Sequence, residues 1–246
     1  MARELTPTGI AGLDALTGGG LPTGHCILLC GGPGSGKTIL ANQFMYKGAV
    51  DYGETGLYVT LDENPVHLKH HMNSFGWDLD KLEKEKKIVI VDASPIRNMP
   101  TELRLSGLNI ASREFNMPAL IETIKRSAKK INAKRLVIDP ITALIIHYQT
   151  ASERHYAVVD LVQAMSDTGC TSIIITDLRP SILERGFQFE EYITQGVILL
   201  QSTKKERQLI RALQIEKMRG IPHDTQLRPY QITDKGIEVF PKEVVL

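Results

Sequence analysis

From Cys26 to Gln201, short apolar runs alternate with longer segments of helical spacing. The runs are CILLC (26–30), GLYVTL (56–61), KIVIVD (87–92), RLVID (135–139), TSIIIT (171–176) and GVILLQ (196–201). They are continuous rather than alternating, and rich in β-branched residues. Strands buried on both faces of a parallel sheet read this way. Between the runs, Thr38–Tyr52, Pro65–Phe75, Ala119–Ile131 and Glu153–Thr168 carry apolar residues at helical intervals. This βαβ alternation predicts an α/β fold with a mostly parallel central sheet and right-handed crossovers. Two stretches break the rhythm. Residues 93–118 contain Pro95, Pro100 and Pro118 with little periodicity, and read as a long connection. Beyond Gln201, Arg207–Lys217, Arg228–Ile232 and Ile237–Phe240 read as antiparallel strands joined by turns rich in Gly, Pro and Asp. No repeat or linker divides the chain, so one domain over residues 1–246 is expected.

Composition narrows the class without naming a function. The 246 residues suffice for one large α/β domain or two small ones. Lys and Arg number 29 against 28 Asp and Glu, a formal net charge of +1. That balance excludes a strongly basic nucleic-acid coat and an acidic tail, though not a local basic patch. The three cysteines, Cys26, Cys30 and Cys170, are too few and too uneven for a secreted disulfide scaffold. Cys26 and Cys30 share one face of a strand, are too far apart to bond, and read as core. MARELTPTG has no apolar core of a signal peptide, and no apolar stretch approaches the roughly 18 residues of a membrane span. A cytoplasmic location without membrane contact is expected.

The chemistry begins at Gly31-Gly32-Pro33-Gly34-Ser35-Gly36-Lys37-Thr38, a full match to G-x-x-x-x-G-K-[ST] between a predicted strand and a predicted helix. Glycines let the backbone curl so that its N–H groups point at phosphate oxygens, and the helix N-terminus adds positive potential. In such a loop Lys37 reaches the β- and γ-phosphates and the Thr38 hydroxyl ligates Mg²⁺. Asp139 ends the run Leu136-Val137-Ile138, the Walker B arrangement, at the carboxyl end of a neighbouring strand where it serves the same metal. Asp62 and Glu63 follow GLYVTL and fall on the same edge. They read equally as general-base candidates or as acidic residues favouring the start of the helix near Pro65.

These motifs, in this order, resemble the KaiC family within the RecA superfamily of ATPases. The resemblance runs from Thr8 to Pro241. TGIAGLDALTGGGLPTG resembles the family's segment before the P-loop, FGWDL (75–79) and VDASP (91–95) resemble segments after its catalytic glutamates, KMRGIPH (217–223) resembles K-[LM]-R-G-x-x-H, and ITDKGIEVFP (232–241) its closing strand. The resemblance implies a RecA-like P-loop fold assembled as a homohexameric ring, with ATP held between neighbours. It implies that Gly32, Gly34, Ser35, Gly36, Lys37, Thr38 and Ile39 cradle the nucleotide, that Thr38 and Asp139 serve Mg²⁺, and that Ser74 contacts nucleotide. Asp62 and Glu63 take the two catalytic glutamate places, the first shortened to Asp, so Glu63 is the implied base. Lys217, Met218, Arg219, Ile221 and His223 match residues that reach the adjacent subunit's nucleotide, with Lys217 and Arg219 as charges acting in trans. In the family's clock proteins a Ser-Thr pair precedes the strand that here begins near Gly196. Glu191 and Tyr192 stand in its place, so an autokinase cycle is not implied. With one RecA-like unit rather than two, the chain resembles a single-domain, archaeal-type KaiC-like ATPase.

Weaker signals point elsewhere. His67, His70 and His71 share a helix face and read as a solvated surface rather than a metal site. Lys125, Arg126, Lys129 and Lys130, with Lys134 and Arg135 nearby, form a basic stretch that would contact nucleic acid if multiplied around a ring, but reads first as a solvated face. The leading expectation is a slow, Mg²⁺-dependent ATPase whose nucleotide state is coupled to an unidentified protein partner. The alternatives are a non-catalytic ATP-gated scaffold, and a recombinase-like ATPase binding single-stranded DNA through residues 93–118 and the basic helix.

Overall fold

The computed structural model describes residues 4–94, 101–105, 108–112, 116–178, 188–205 and 208–245. After a short antiparallel pair, β1 (Leu5–Thr6) and β2 (Leu21–Pro22), the apolar runs become six parallel strands: β3 (Cys26–Gly31), β4 (Gly56–Thr60), β5 (Ile88–Asp92), β8 (Arg135–Asp139), β9 (Thr171–Asp177) and β10 (Gly196–Lys205). Three antiparallel strands, β11 (Gln208–Met218), β12 (Arg228–Thr233) and β13 (Gly236–Val239), extend the sheet beyond β10. The order across the sheet is β13-β12-β11-β10-β3-β9-β8-β4-β5. Strand side chains alternate between two cores. Ile27 and Leu29 face one, packed by α1 (Ala11–Leu16), α2 (Lys37–Asp51), α3 (Pro65–Asn73) and α4 (Leu79–Lys84). Cys26, Leu28 and Cys30 face the other, packed by α5 (Met117–Ile131), α6 (Thr142–Ile145) and α7 (Ala151–Asp167). Both faces are covered, which is why the runs are apolar throughout. The three cysteines are buried and form no disulfide, and burial pushes the Cys26 thiol up to about 12.

The four helices expected from the spacing are α2, α3, α5 and α7, displaced at their ends by no more than two residues. Asn64, Asn116 and Thr150 cap α3, α5 and α7 through their side chains. The structure corrects three expectations. The strand of Asp139 is not the neighbour of the P-loop strand, because β9 lies between β3 and β8. Residues 93–118 are not wholly irregular. β6 (Thr101–Leu105) and β7 (Leu108–Ser112) form an antiparallel ribbon. Its signal is present in the chain, as Leu103, Leu105, Leu108 and Ile110 alternate with other residues around Ser106-Gly107; Pro95 and Pro100 lie outside the described residues. The short helices α1 and α4 give too few turns for a period to emerge in the sequence. Arg135 does not belong to the basic surface: it is fully buried, donating to Glu54 Oε2 at 2.5 Å and to the carbonyls of Phe44 and Pro7 at 2.7 Å each. Lys125, Arg126, Lys129 and Lys130 are exposed, and Lys125 pairs with Asp167.

The segments flanking the P-loop are architectural. Asp14 accepts from the backbone and hydroxyl of Thr8 and the backbone of Gly9, closing the loop TGIAGLD. A Cβ on Gly12 would stand 2.0 Å from the Val239 carbonyl, so only glycine lets α1 lie against β13. In FGWDL, Trp77 is buried between Tyr46 and Phe75, and Asp78 caps α4. Among the described residues, no helix is long and apolar enough to cross a membrane.

Candidate nucleotide site

The carboxyl ends of β3, β9, β8 and β4 deliver four groups to one edge. These are the loop Gly31–Lys37, Asp177, Asp139 and the pair Asp62-Glu63. The loop turns through left-handed residues Gly34 (φ 71°) and Gly36 (φ 90°), the latter the N-cap of α2. Side chains rarely adopt that conformation, which explains glycine at both positions. The loop rests on the antiparallel strands. The Tyr230 hydroxyl of β12 donates to the Ser35 carbonyl at 2.6 Å. A Cβ on Gly36 would meet the Ile232 side chain at 3.0 Å. The Gln43 amide exchanges hydrogen bonds with the backbone of Ile237 at 2.7 and 3.2 Å, locking α2 to β13. Ser35 itself is buried.

Lys37 folds back over the loop, with its Nζ 2.8 Å from the Gly31 carbonyl, 3.1 Å from that of Gly32 and 2.9 Å from Asp177 Oδ1. The Thr38 hydroxyl, on the first turn of α2, donates to Asp139 Oδ2 at 2.8 Å. That contact crosses above β9. The Tyr58 hydroxyl donates to the same oxygen at 2.6 Å, and Asn42 fixes Tyr58 from above at 3.3 Å. Asp139 is 8% exposed, and burial raises its pKa against the opposing hydrogen bonds from Tyr58 and Thr38. The same burial, reinforced by the Asp139 charge, holds the Tyr58 phenol far above its ordinary value.

A cleft of about 390 Å³ opens beside Thr38 and Ile39, lined also by Glu63, His71, Ser74 and Phe75. Asn64 caps α3, accepting from Val66 N at 2.8 Å, so the cap needs neither Asp62 nor Glu63. Glu63 turns instead to the cleft, where its Oε1 lies 2.9 Å from His71 Nδ1. Asp62 is exposed. Ser74 ends α3 with its hydroxyl donating to the His71 carbonyl. His71 is thereby joined to Glu63 and also lies beside His70, with ring centroids 6.2 Å apart, and among the described residues no group of three His, Cys, Asp or Glu is arranged to hold a metal.

The remaining expected residues stand apart from this edge. Lys217 pairs in register with Val197, and Val197 with Leu28, toward the amino end of β3. Lys217 therefore lies about 10 Å short of Gly31 along the strands and two strand spacings, about 10 Å, to the side. Its ammonium donates to the Glu191 carbonyl at 2.6 Å, and Arg219 Nη2 reaches the Tyr192 carbonyl at 3.5 Å. Burial, then the Arg219 charge beside it, lowers the Lys217 pKa. The Met218 side chain is buried in the core and Ile221 packs partly against it, while His223 Nδ1 stands 3.4 Å from the Ile221 carbonyl. At that separation neither Lys217 nor Arg219 reaches the chain's own P-loop.

Three side chains at the site carry no signal recognised in the sequence. Asp177 ends TSIIITD as Asp139 ends RLVID, and that parallel was the available clue. Tyr58 sits inside the apolar strand GLYVT and Tyr230 inside the mixed strand RPYQIT, and in both a tyrosine reads as core. Only the positions of their hydroxyls reveal the partners.

A glycine loop between a strand and a helix, with lysine, hydroxyl and Walker B carboxylate converging at the carboxyl edge of a parallel sheet, defines a P-loop nucleotide-binding protein. The comparisons carry the class further. A family model described as ATPase: KaiC matches residues 6–244. The UPF0273 protein of Methanocaldococcus jannaschii is 38% identical over 97% of this chain and 97% of its own length. The circadian clock oscillator protein KaiC of Synechococcus elongatus is 35% identical over 95% of this chain, which spans 44% of that protein. The crystal structure of a KaiC-like protein from Pyrococcus horikoshii superposes with a TM-score of 0.82 at 38% identity, covering 98% of this chain and all of that one. The chain belongs to the KaiC family of ATPases, and its fold is the RecA-type fold of that family.

Proposed function

We propose that this chain binds ATP with Mg²⁺ at the edge described, hydrolyses it slowly, and works as a homohexameric ring whose nucleotide state is read by a protein partner. The observation that carries this reading is the Thr38–Asp139 contact at 2.8 Å beside Lys37, with Glu63 on the adjoining cleft. A hydroxyl and a carboxylate are hard oxygen donors suited to Mg²⁺. When bound there, the ion would neutralise charge on the β- and γ-phosphates. Gly32, Gly34, Ser35, Gly36, Thr38 and Ile39 contribute backbone N–H groups to the phosphates, and the Lys37 ammonium draws charge from the γ-phosphoryl group. Ser74 meets the nucleotide across the cleft. Glu63 accepts the proton of the attacking water on Oε2 while His71 holds Oε1, with the exposed Asp62 in support. Lys217 and Arg219, remote from their own P-loop, stabilise the charge developing on a neighbour's nucleotide. Met218, Ile221 and His223 border the same contact through the backbone and the imidazole.

Lys37→Ala is expected to abolish nucleotide binding, and Glu63→Gln to retain binding but stop phosphate release. Unchanged turnover in Glu63→Gln removes the base assignment. Arg219→Ala alone is expected to be inactive and to regain activity when mixed with Lys37→Ala, since mixed rings contain interfaces with both residues intact. Failure of mixing argues against action in trans.

A further inference from the structure

An ammonium has three N–H donors, and Lys37 has three acceptors of its own chain within reach, the carbonyls of Gly31 and Gly32 and the carboxylate of Asp177. The two carbonyls are neutral, and that of Gly31 is also held by Leu178 N at 3.1 Å. Asp177 is different. It is anionic, its side chain is 50% exposed, and it stands on β9 between the P-loop strand and the Asp139 strand. It is also held in place: the Thr142 hydroxyl donates to its Oδ2 at 2.9 Å and the Gln188 amide to its carbonyl at 3.2 Å.

We infer that Asp177 is a built-in competitor for Lys37, an internal anion that a phosphate must displace, so that it limits affinity for nucleoside di- and triphosphates. This rests on the reading that Lys37 receives the β- and γ-phosphates. Of the three acceptors, Asp177 is the one a phosphate displaces. Its charge is repelled by the arriving anion, its exposure lets water rehydrate it, and Thr142 keeps a hydrogen bond to Oδ2 throughout. The two carbonyls belong to the loop and cannot leave without unfolding it. The competition acts only on ligands with phosphate at the lysine, so a nucleoside monophosphate escapes it. It also differs from the role of Asp139, whose Oδ2 is turned to Thr38 and Tyr58 rather than to Lys37.

The test is equilibrium titration of a non-hydrolysable ATP analogue, ADP and AMP into the wild-type protein and into Asp177→Asn, Asp177→Glu and Lys37→Ala, each with Mg²⁺ and with chelator. Asn keeps an acceptor for Thr142 but has no charge to offer Lys37. Asp177→Asn is expected to bind the ATP analogue and ADP roughly three- to tenfold tighter, the scale of a half-exposed ion pair and of like-charge repulsion removed together. AMP affinity stays unchanged, Asp177→Glu keeps most of the wild-type limit, and the gain shrinks as salt is raised. Unchanged or weaker binding of the analogue by Asp177→Asn, with or without Mg²⁺, overturns the inference. Wild-type affinity in Lys37→Ala would instead overturn the reading of the site beneath it.

Discussion

Replacing Tyr58 by Phe removes one oxygen from the centre of the protein and nothing else. Tyr58 is 1% exposed, and its hydroxyl donates to Asp139 Oδ2 at 2.6 Å. Phe keeps the ring, so no cavity forms. Asn42 loses an acceptor but retains the Thr38 carbonyl at 2.9 Å. What is lost is a buried hydrogen bond to a carboxylate, about 1.5–3 kcal/mol, with Thr38 the remaining donor to that oxygen. In a chain of this size that lowers Tm by about 3–12 °C. The loss depends on pH in a defined direction. Burial raises the folded pKa of Asp139 above its unfolded value, so this group's contribution to stability falls as the pH rises between the two. Tyr58 and Thr38 limit that fall by favouring the carboxylate, and without Tyr58 the folded pKa rises further. The deficit of Tyr58→Phe is therefore full where Asp139 is ionised, and shrinks as the pH drops through the variant's folded pKa. Urea unfolding of both proteins across the acid range measures it. A deficit below about 0.5 kcal/mol, or one that does not change with pH, refutes the pairing of Tyr58 with an ionised Asp139.

Other substitutions separate support from chemistry. Arg135→Ala strands the Glu54 carboxylate and two backbone carbonyls around a buried site, and is expected to cost about 3–5 kcal/mol in urea unfolding; a loss under about 1 kcal/mol would contradict the buried pairing. Tyr230→Phe removes the hydroxyl under Ser35, about 1 kcal/mol, and is expected to weaken nucleotide binding a few-fold without unfolding the chain, as followed by titration and melting; unchanged affinity would mean that Ile232 and Ile237 suffice beneath the loop. His71→Leu is expected to lower the turnover number at unchanged nucleotide affinity, while His71→Asn, with an amide nitrogen near the place of Nδ1, retains it; equal turnover in the two removes His71 as the residue positioning Glu63.

The parallel strands and main helices were legible because burial on both sheet faces leaves uninterrupted apolar runs, and packing on one helix face leaves a period of 3.6. The P-loop was legible for a stronger reason, that its conformation is local: left-handed Gly34 and Gly36 and the N-terminus of α2 lie within a few residues of Lys37. The charged residues of the two ends of the sheet could be named but not arranged. Asp62 and Glu63 were balanced between capping and chemistry; in the fold Asn64 takes the side-chain cap and Glu63 meets His71 at the cleft, a placement that depends on the folded chain. Arg135 looked like its basic neighbours, because nothing in KINAKRLVID marks which cation points inward.

Short-range features, then, were settled along the chain: which segment forms the glycine loop, which strand ends in a carboxylate, and which family these motifs belong to. Long-range placement was not. The strand order, with β9 between β3 and β8, brings Asp177 to Lys37 across 140 residues, and Tyr58 to Asp139 across 81. It also sets Lys217 and Arg219 at the opposite end of the sheet from the loop. Hydrogen bonds between residues so distant depend on register and on which strands are neighbours. A run of apolar residues specifies that it pairs, but not with what, and only the folded sheet makes that choice.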